Sequence, residues 1–137
     1  MSKILVVDDE KNIRLVVGKS LEKAGYDVEY AVDGVEAVDK ANNISPDLIL
    51  LDLRMPKMNG FLVLEALKSD AATEEIPVII LSALSEEDDV QKAISSGAED
   101  FLVKPISQSD LLAAVEESIM EEGTGQEEIE EEDNNEK

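Results

Sequence analysis

One stretch constrains this chain more than any other: Leu48-Ile49-Leu50-Leu51-Asp52-Leu53-Arg54-Met55-Pro56-Lys57-Met58-Asn59-Gly60. A short apolar run ends on a carboxylate, and a loop with Pro and Asn-Gly follows at once. A run this short, bounded by turn signals, reads as a buried strand. Asp52 then stands at the strand's exit, where a side chain reaches a site without lying inside the core. Two readings are open on this stretch alone. Asp52 caps a turn, or it is a reacting carboxylate that much of the chain serves.

The rest of the chain supplies the context. Lys3-Ile4-Leu5-Val6-Val7 reads as a strand ending on Asp8-Asp9-Glu10. From Lys11 to about Ala24 the spacing is helical, with Ile13, Val17, Leu21 and Ala24 on one face and Gly25 as the stop. Tyr26 to Ala31 alternates as a second strand, Asp33-Gly34 makes a turn, and Val35 to about Asn43 is a short helix with Val35, Val38 and Ala41 inward. Beyond the opening stretch, Phe61 to Ser69 is helical with Phe61, Leu64 and Leu67 as core. Pro77 to Leu81 is a fourth strand with Ser82-Ala83 at its exit. Ser85 caps a helix to about Ser96, with Val90, Ala93 and Ile94 inward and Gly97 as its stop. Asp100 to Val103 is a fifth strand with Lys104-Pro105 at its exit. Ser107 caps the last helix, with Asp110 completing a capping box and Leu111, Val115 and Ile119 on one face. Strands alternating with helices imply a parallel sheet covered on both faces, and the nearly continuous apolar strands agree.

Composition narrows the chemistry. The chain has no Cys and no His, so disulfides, thiolate metal sites and His-based catalytic triads are excluded. Its length is that of one domain, no apolar run approaches membrane-spanning length, and the lack of Cys fits the cytoplasm. The net charge is −21, with nine acids and one Lys in residues 121–137. The first 120 residues remain acidic, so neither nucleic acid nor an anionic membrane is an expected partner. Residues 1–120 are expected to be the folded domain. Residues 121–137 are expected to be a disordered acidic tail, too poor in apolar groups to offset the entropy of ordering.

In an open α/β sheet, binding groups gather at the carboxyl ends of the strands. Here those ends carry Asp8 and Asp9, Asp52, Ser82 and Lys104. Converging carboxylates repel, so either their pKa values rise or a cation sits among them. Oxygen ligands without His or Cys suit Mg²⁺, with Mn²⁺ possible. Phosphoryl transfer needs an oxygen nucleophile, a divalent ion, and cationic and hydroxyl donors for the transferred oxygens. An aspartate can serve as that nucleophile and form an acyl phosphate. Taken singly, each residue has an ordinary explanation: a helix N-terminus, a turn serine, a solvated lysine. Their joint placement at the exits of four strands favours the phosphoryl-acceptor reading.

From about Lys3 to Met120 the sequence resembles the receiver domain of bacterial response regulators, the phospho-accepting half of two-component signalling. The resemblance rests on Asp8-Asp9, Asp52 with Met55-Pro56 and Gly60, Ser82-Ala83, Phe101 and Lys104-Pro105. It implies a flavodoxin-like, doubly wound (βα)5 fold with a five-stranded parallel sheet in order 2-1-3-4-5. It also implies roles. Asp52 would be phosphorylated by a histidine kinase or a histidine phosphotransfer protein. Asp9, Asp52 and the backbone carbonyl of Arg54 would ligate Mg²⁺, with Asp8 acting through a water. Lys104 and Ser82 would hold the phosphoryl oxygens. Ser82 and Phe101 would switch the surface of the fourth helix, fifth strand and fifth helix for a downstream protein target. Arg54 and Leu84 would tune autodephosphorylation, and Lys104–Pro105 would be a cis peptide bond. Such a chain works as a monomer or a phosphorylation-dependent dimer, and catalyses only its own phosphorylation and dephosphorylation.

Other classes fit less well. A haloacid-dehalogenase-type phosphatase wants a second Asp two residues after the nucleophile, where this chain has Arg54. A flavodoxin-type phosphate loop would not be Asp8-Asp9-Glu10, and no P-loop or G-x-G-x-x-G is present. A non-phosphorylated pseudo-receiver would have lost one of the acidic, Ser or Lys positions. The chain is read as a stand-alone receiver, the alternative being an N-terminal receiver cut from a longer regulator.

Overall fold

Residue parity along the strands decides which of two cores each side chain joins. The computed structural model describes residues 2–55, 58–83 and 86–120. The elements run β1 (Lys3–Val7), α1 (Lys11–Lys23), β2 (Asp27–Ala31), α2 (Gly34–Ile44), β3 (Leu48–Leu51), α3 (Gly60–Lys68), β4 (Val78–Ser82), α4 (Glu87–Ser95) and β5 (Asp100–Val103). A fifth helix, α5, covers residues 108–120. The strands form one parallel sheet in the order β2-β1-β3-β4-β5. The chain therefore winds outward in both directions from β1 and β3. That reversal leaves a crevice beyond the carboxyl ends of those two strands.

Leu5, Val7, Ile49, Leu51, Val78 and Ile80 pack with Ala37, Ala41, Val63, Leu64, Leu67 and Ala93 from α2, α3 and α4. Ile4, Val6, Leu48, Leu50, Ile79 and Leu81 pack with Val17 and Leu21 of α1 and Leu111 and Val115 of α5. Successive strand residues point to opposite faces, so a strand covered on both sides must be apolar at every position. All residues of β3 and β4 are buried. Each fully buried aliphatic side chain contributes about 1.5–3 kcal/mol. Ile80 is fully buried in the centre of β4. Ile80→Ala is expected to destabilise the domain by about 2–5 kcal/mol, read from the shift of a urea unfolding midpoint.

Helix ends follow local chemistry. Asp33 caps α2 by accepting the Glu36 N–H at 2.9 Å, and Asn59 caps α3 by accepting the Leu62 N–H at 3.1 Å. Ser107 Oγ accepts the Asp110 N–H at 3.1 Å at the start of α5, but Asp110 makes no return bond, so the capping box is half formed. Gly25 and Gly97 follow α1 and α4 with φ of 99° and 113°, a backbone region that costs glycine nothing.

Three expected core positions are corrected. Val35 is 56% exposed, and Gly34, Ala37 and Ala41 face inward instead. A methyl group added to Gly34 would lie 2.6 Å from Met58 Cβ and 2.8 Å from Val63 Cγ2. The inner face of α2 therefore holds small residues because its neighbours approach closely. Ile94 is 44% exposed while Ala93 is buried, and Ala24 is the exposed C-cap of α1 rather than part of its apolar face. The expected cap at Ser85, the turn residue Pro56, Leu84 and the tail 121–137 lie outside the described residues.

Candidate functional site

β1 and β3 are adjacent, with Val7 paired to Leu51. One residue further along each strand stand Asp8 and Asp52, and the Asp52 N–H donates to the Val7 carbonyl at 3.0 Å. Both residues are buried, 2% and 5% exposed. β5 delivers Lys104, whose N–H donates to the Ser82 carbonyl at 2.9 Å. Its ammonium crosses the sheet end to reach Asp8 Oδ2 at 2.8 Å and Asp52 Oδ2 at 3.4 Å, and lies 4.0 Å from Glu10 Oε1. One cation thus joins two buried anions that come from positions 44 residues apart in the chain.

Asp9 is exposed at the mouth of this group. Oxygens of Asp8, Asp9 and Asp52 all lie within 4.8 Å of one another. Asp9 and Asp52 line a cleft of about 410 Å³ together with Glu10, Arg54, Ala83 and Lys104. Three hard oxygen donors at this spacing fit a small divalent cation such as Mg²⁺.

The electrostatics point the same way. Burial pushes the Asp52 carboxyl above the ordinary range, the Arg54 N–H at 3.2 Å opposes this, and the Asp8 charge adds to the rise. Burial alone would depress the Lys104 ammonium. Its hydrogen bond to Asp8 and the charges of Asp52 and Asp8 outweigh that and raise it. A buried carboxyl with a raised pKa is one the unfolded chain ionises more readily. Metal-free protein therefore loses stability as pH rises from the ordinary carboxylate value through the folded value of Asp52. Asp52→Asn removes that loss. In thermal unfolding it is expected to be more stable than the parent at neutral pH, with the gap closing below the ordinary carboxylate range.

The remaining expected residues are placed as follows. Ser82 closes β4 and is completely buried; it stands behind the cleft and does not line it. Phe101 is paired with Ile80 and is half-buried against the core on the α2–α4 side. Arg54 is exposed at the cleft. The Lys104–Pro105 bond is cis. Gly60 fixes the loop behind Asp52: its N–H donates to the Leu53 carbonyl at 2.9 Å, and a Cβ there would lie 2.4 Å from Leu53 Cα and 2.5 Å from the Asp52 carbonyl oxygen. Two contributors were not singled out in the sequence. Glu10 lines the cleft near Lys104, and Arg14 Nη1 donates to the Asp8 carbonyl at 2.8 Å. The only sequence signal for Arg14 was its place one helical turn past the acidic loop.

A doubly wound parallel sheet with an acidic, cation-fitting cleft at its point of strand reversal defines the class of protein. The profile of the response regulator receiver domain matches residues 4–116, and this chain belongs to that family. Among curated proteins it is 44% identical over 115 residues to the DNA-binding dual master transcriptional regulator RpaA of Synechocystis sp. That match covers 84% of this chain and 48% of RpaA. It is 46% identical to the response regulator PleD of Caulobacter vibrioides, covering 83% of this chain and 25% of PleD. The chain thus spans half or less of the length of these relatives. Among solved structures, the chemotaxis response regulator CheY4 of Vibrio cholerae superposes with a TM-score of 0.82 at 36% identity, covering 86% of this chain and 98% of CheY4. The receiver domain of the sensor histidine kinase PA1611 from Pseudomonas aeruginosa, solved with a magnesium ion in its active site cleft, gives 0.80 at 28% identity, covering 86% and 97%. The fold is the flavodoxin-like receiver fold, and the domain is a signalling domain of two-component systems. Receiver domains bind Mg²⁺ in an acidic cleft, and the carboxylate cluster for it is present here. No described helix is long and apolar enough to cross a membrane.

Proposed function

We propose that Asp52 is the phosphoryl acceptor, and that the donor is a phosphohistidine of a histidine kinase or a histidine phosphotransfer protein. The observation that supports it most is the position of Lys104, held between Asp8 and Asp52 beside three carboxylates within 4.8 Å of one another. An Asp52 oxygen attacks phosphorus, an O–P bond forms, the donor's N–P bond breaks, and the imidazole leaves. Asp9 and Asp52, with the Arg54 carbonyl, would hold Mg²⁺, with Asp8 acting through a water. Bound there, the ion would supply positive charge to offset these carboxylates and the charge that develops on the phosphoryl oxygens. Lys104 is already within 3.4 Å of Asp52 and neutralises a further oxygen without leaving the cleft. Ser82, buried behind the cleft, turns its hydroxyl toward the same group, and Phe101 moves with it. The phosphate thereby biases a two-state equilibrium of the α4-β5-α5 surface.

The reader of that surface is a separate protein target or an output domain, since in relatives such as PleD the matching segment is one part of a longer protein. Arg54, exposed at the cleft, governs access of the hydrolytic water, and the same role is proposed for Leu84 from its place two residues beyond Ser82. Exchanging either is expected to change the lifetime of the acyl phosphate while leaving its formation intact, measured by decay of the adduct after donor removal.

The test of the reading is incubation with acetyl phosphate and Mg²⁺, followed by intact mass. A single base-labile phosphoryl adduct is expected, with Mn²⁺ as a substitute and none with a chelator. No adduct under any of these conditions, in a folded protein, refutes the proposal.

A further inference from the structure

Asp8 is tied at all four of its polar groups. Its N–H donates to the Ala31 carbonyl at 3.1 Å, its Oδ1 accepts the Glu10 N–H at 2.9 Å, and its Oδ2 accepts Lys104 Nζ at 2.8 Å. The fourth contact is the Arg14 guanidinium on its carbonyl at 2.8 Å. Asp9, the next residue, is exposed and makes no hydrogen bond or ion pair of its own among the described residues. Its carboxylate nevertheless lies within 4.8 Å of those of Asp8 and Asp52.

A side chain without partners inherits its place from its backbone. The Asp8 carbonyl and the Asp9 N–H and Cα share one rigid peptide plane. Whatever pins that oxygen therefore aims Asp9. We propose that Arg14 is a positioning residue, whose guanidinium holds the Asp8–Asp9 peptide so that the Asp9 carboxylate faces the cation. This rests on the reading of the cleft as a Mg²⁺ site.

Two effects of Arg14 on Mg²⁺ have opposite signs. Its charge repels a divalent ion, so loss of charge alone tightens binding. Its bond to the carbonyl orients a ligand, and loss of such outer contacts weakens metal binding by about 10–100-fold. Arg14→Met loses both, so the direction of change tells which dominates. By calorimetric titration of the full chain, Arg14→Met is expected to bind Mg²⁺ at least about 10-fold more weakly. Arg14→Lys, which keeps a charged donor, recovers part of that loss. In the metal-free protein, amide exchange at Glu10, whose N–H is held by Asp8 Oδ1, is expected to speed up in Arg14→Met while that of β4 stays unchanged. Should Arg14→Met fail to fold, Arg14→Gln serves in its place. Unchanged or tighter Mg²⁺ binding in the neutral variant overturns the proposal. If the parent chain itself binds no Mg²⁺, the reading of the cleft falls and the proposal with it.

Discussion

Asp52→Asn is expected to gain no phosphoryl group from acetyl phosphate and Mg²⁺ under conditions that load the parent chain. The change removes the proposed nucleophile, the charge that Lys104 faces at 3.4 Å and one of the three clustered carboxylates, while keeping the side chain's shape. Asn has nearly the same shape, and its amide oxygen still accepts the Arg54 N–H that reaches Asp52 Oδ1 at 3.2 Å. Since burial works against the Asp52 charge, the fold does not suffer from losing it. A missing adduct in a folded, slightly stabilised variant therefore reports chemistry rather than unfolding. An adduct of equal amount on Asp52→Asn would place the acceptor elsewhere and overturn the assignment.

Lys104→Met is expected to cost the metal-free domain about 3–5 kcal/mol, the scale for removing one partner from a buried charge cluster. The Lys104 side chain is only 14% exposed, and the side chains of Asp8 and Asp52 are 3% and 6% exposed. Without it, two buried anions face each other with no cation between them. The Met side chain fills most of the space, so the loss is electrostatic rather than a cavity. Without the ammonium, Mg²⁺ is expected to bind the carboxylates more tightly, so one fixed Mg²⁺ concentration stabilises the variant more than the parent; the gain is about 2.7 kcal/mol where that concentration reaches about one hundred times the dissociation constant. Urea unfolding with and without Mg²⁺ should show a larger rescue in Lys104→Met than in the parent. Phosphorylation of the metal-loaded variant should remain impaired, because the ion does not replace the ammonium at the phosphoryl oxygens. Equal stability of the two metal-free proteins would show that the cluster is better hydrated than its burial implies.

Much of the architecture was legible because the strands are short apolar runs that stop at charged residues. Leu48 to Leu51 ends on Asp52 for a physical reason: the run is buried on both faces and the next residue meets the cleft. The helices were less legible where small residues carry the packing. Val35 looked like a core residue by hydrophobicity, yet close approach of α2 to Met58 and Val63 selects Gly34 and Ala37 for the inner face. Ile94 and Ala93 repeat the case in α4. A hydrophobicity count cannot see this, because the criterion is available space.

At the site, the sequence named the carboxylates and the lysine through their places at strand ends. It could not give the distances that make Lys104 a bridge between Asp8 and Asp52, which arise from the parallel register of β1 and β3. It expected Ser82 at the rim, whereas the residue is buried behind it, because Ser82 is still the last paired residue of β4. Arg14 was invisible because its contact is to a backbone oxygen, and no residue type announces such a partner.

The alternation of the strands between two cores also sets how errors in chain length are felt. Asp8 continues the parity of Ile4 and Val6, and Asp52 that of Leu48 and Leu50, all of which belong to the core under α1 and α5. Position in this cleft is therefore counted in whole residues. One residue inserted into β3 would carry Asp52 to the opposite face of the sheet and exchange the faces of the β3 residues that follow it, while two would restore the face and lift the carboxylate by about 6.6 Å. No side-chain adjustment spans either step. The two strands act as a ruler with coarse divisions, and the carboxylate of Asp52 is read off at a mark that cannot drift.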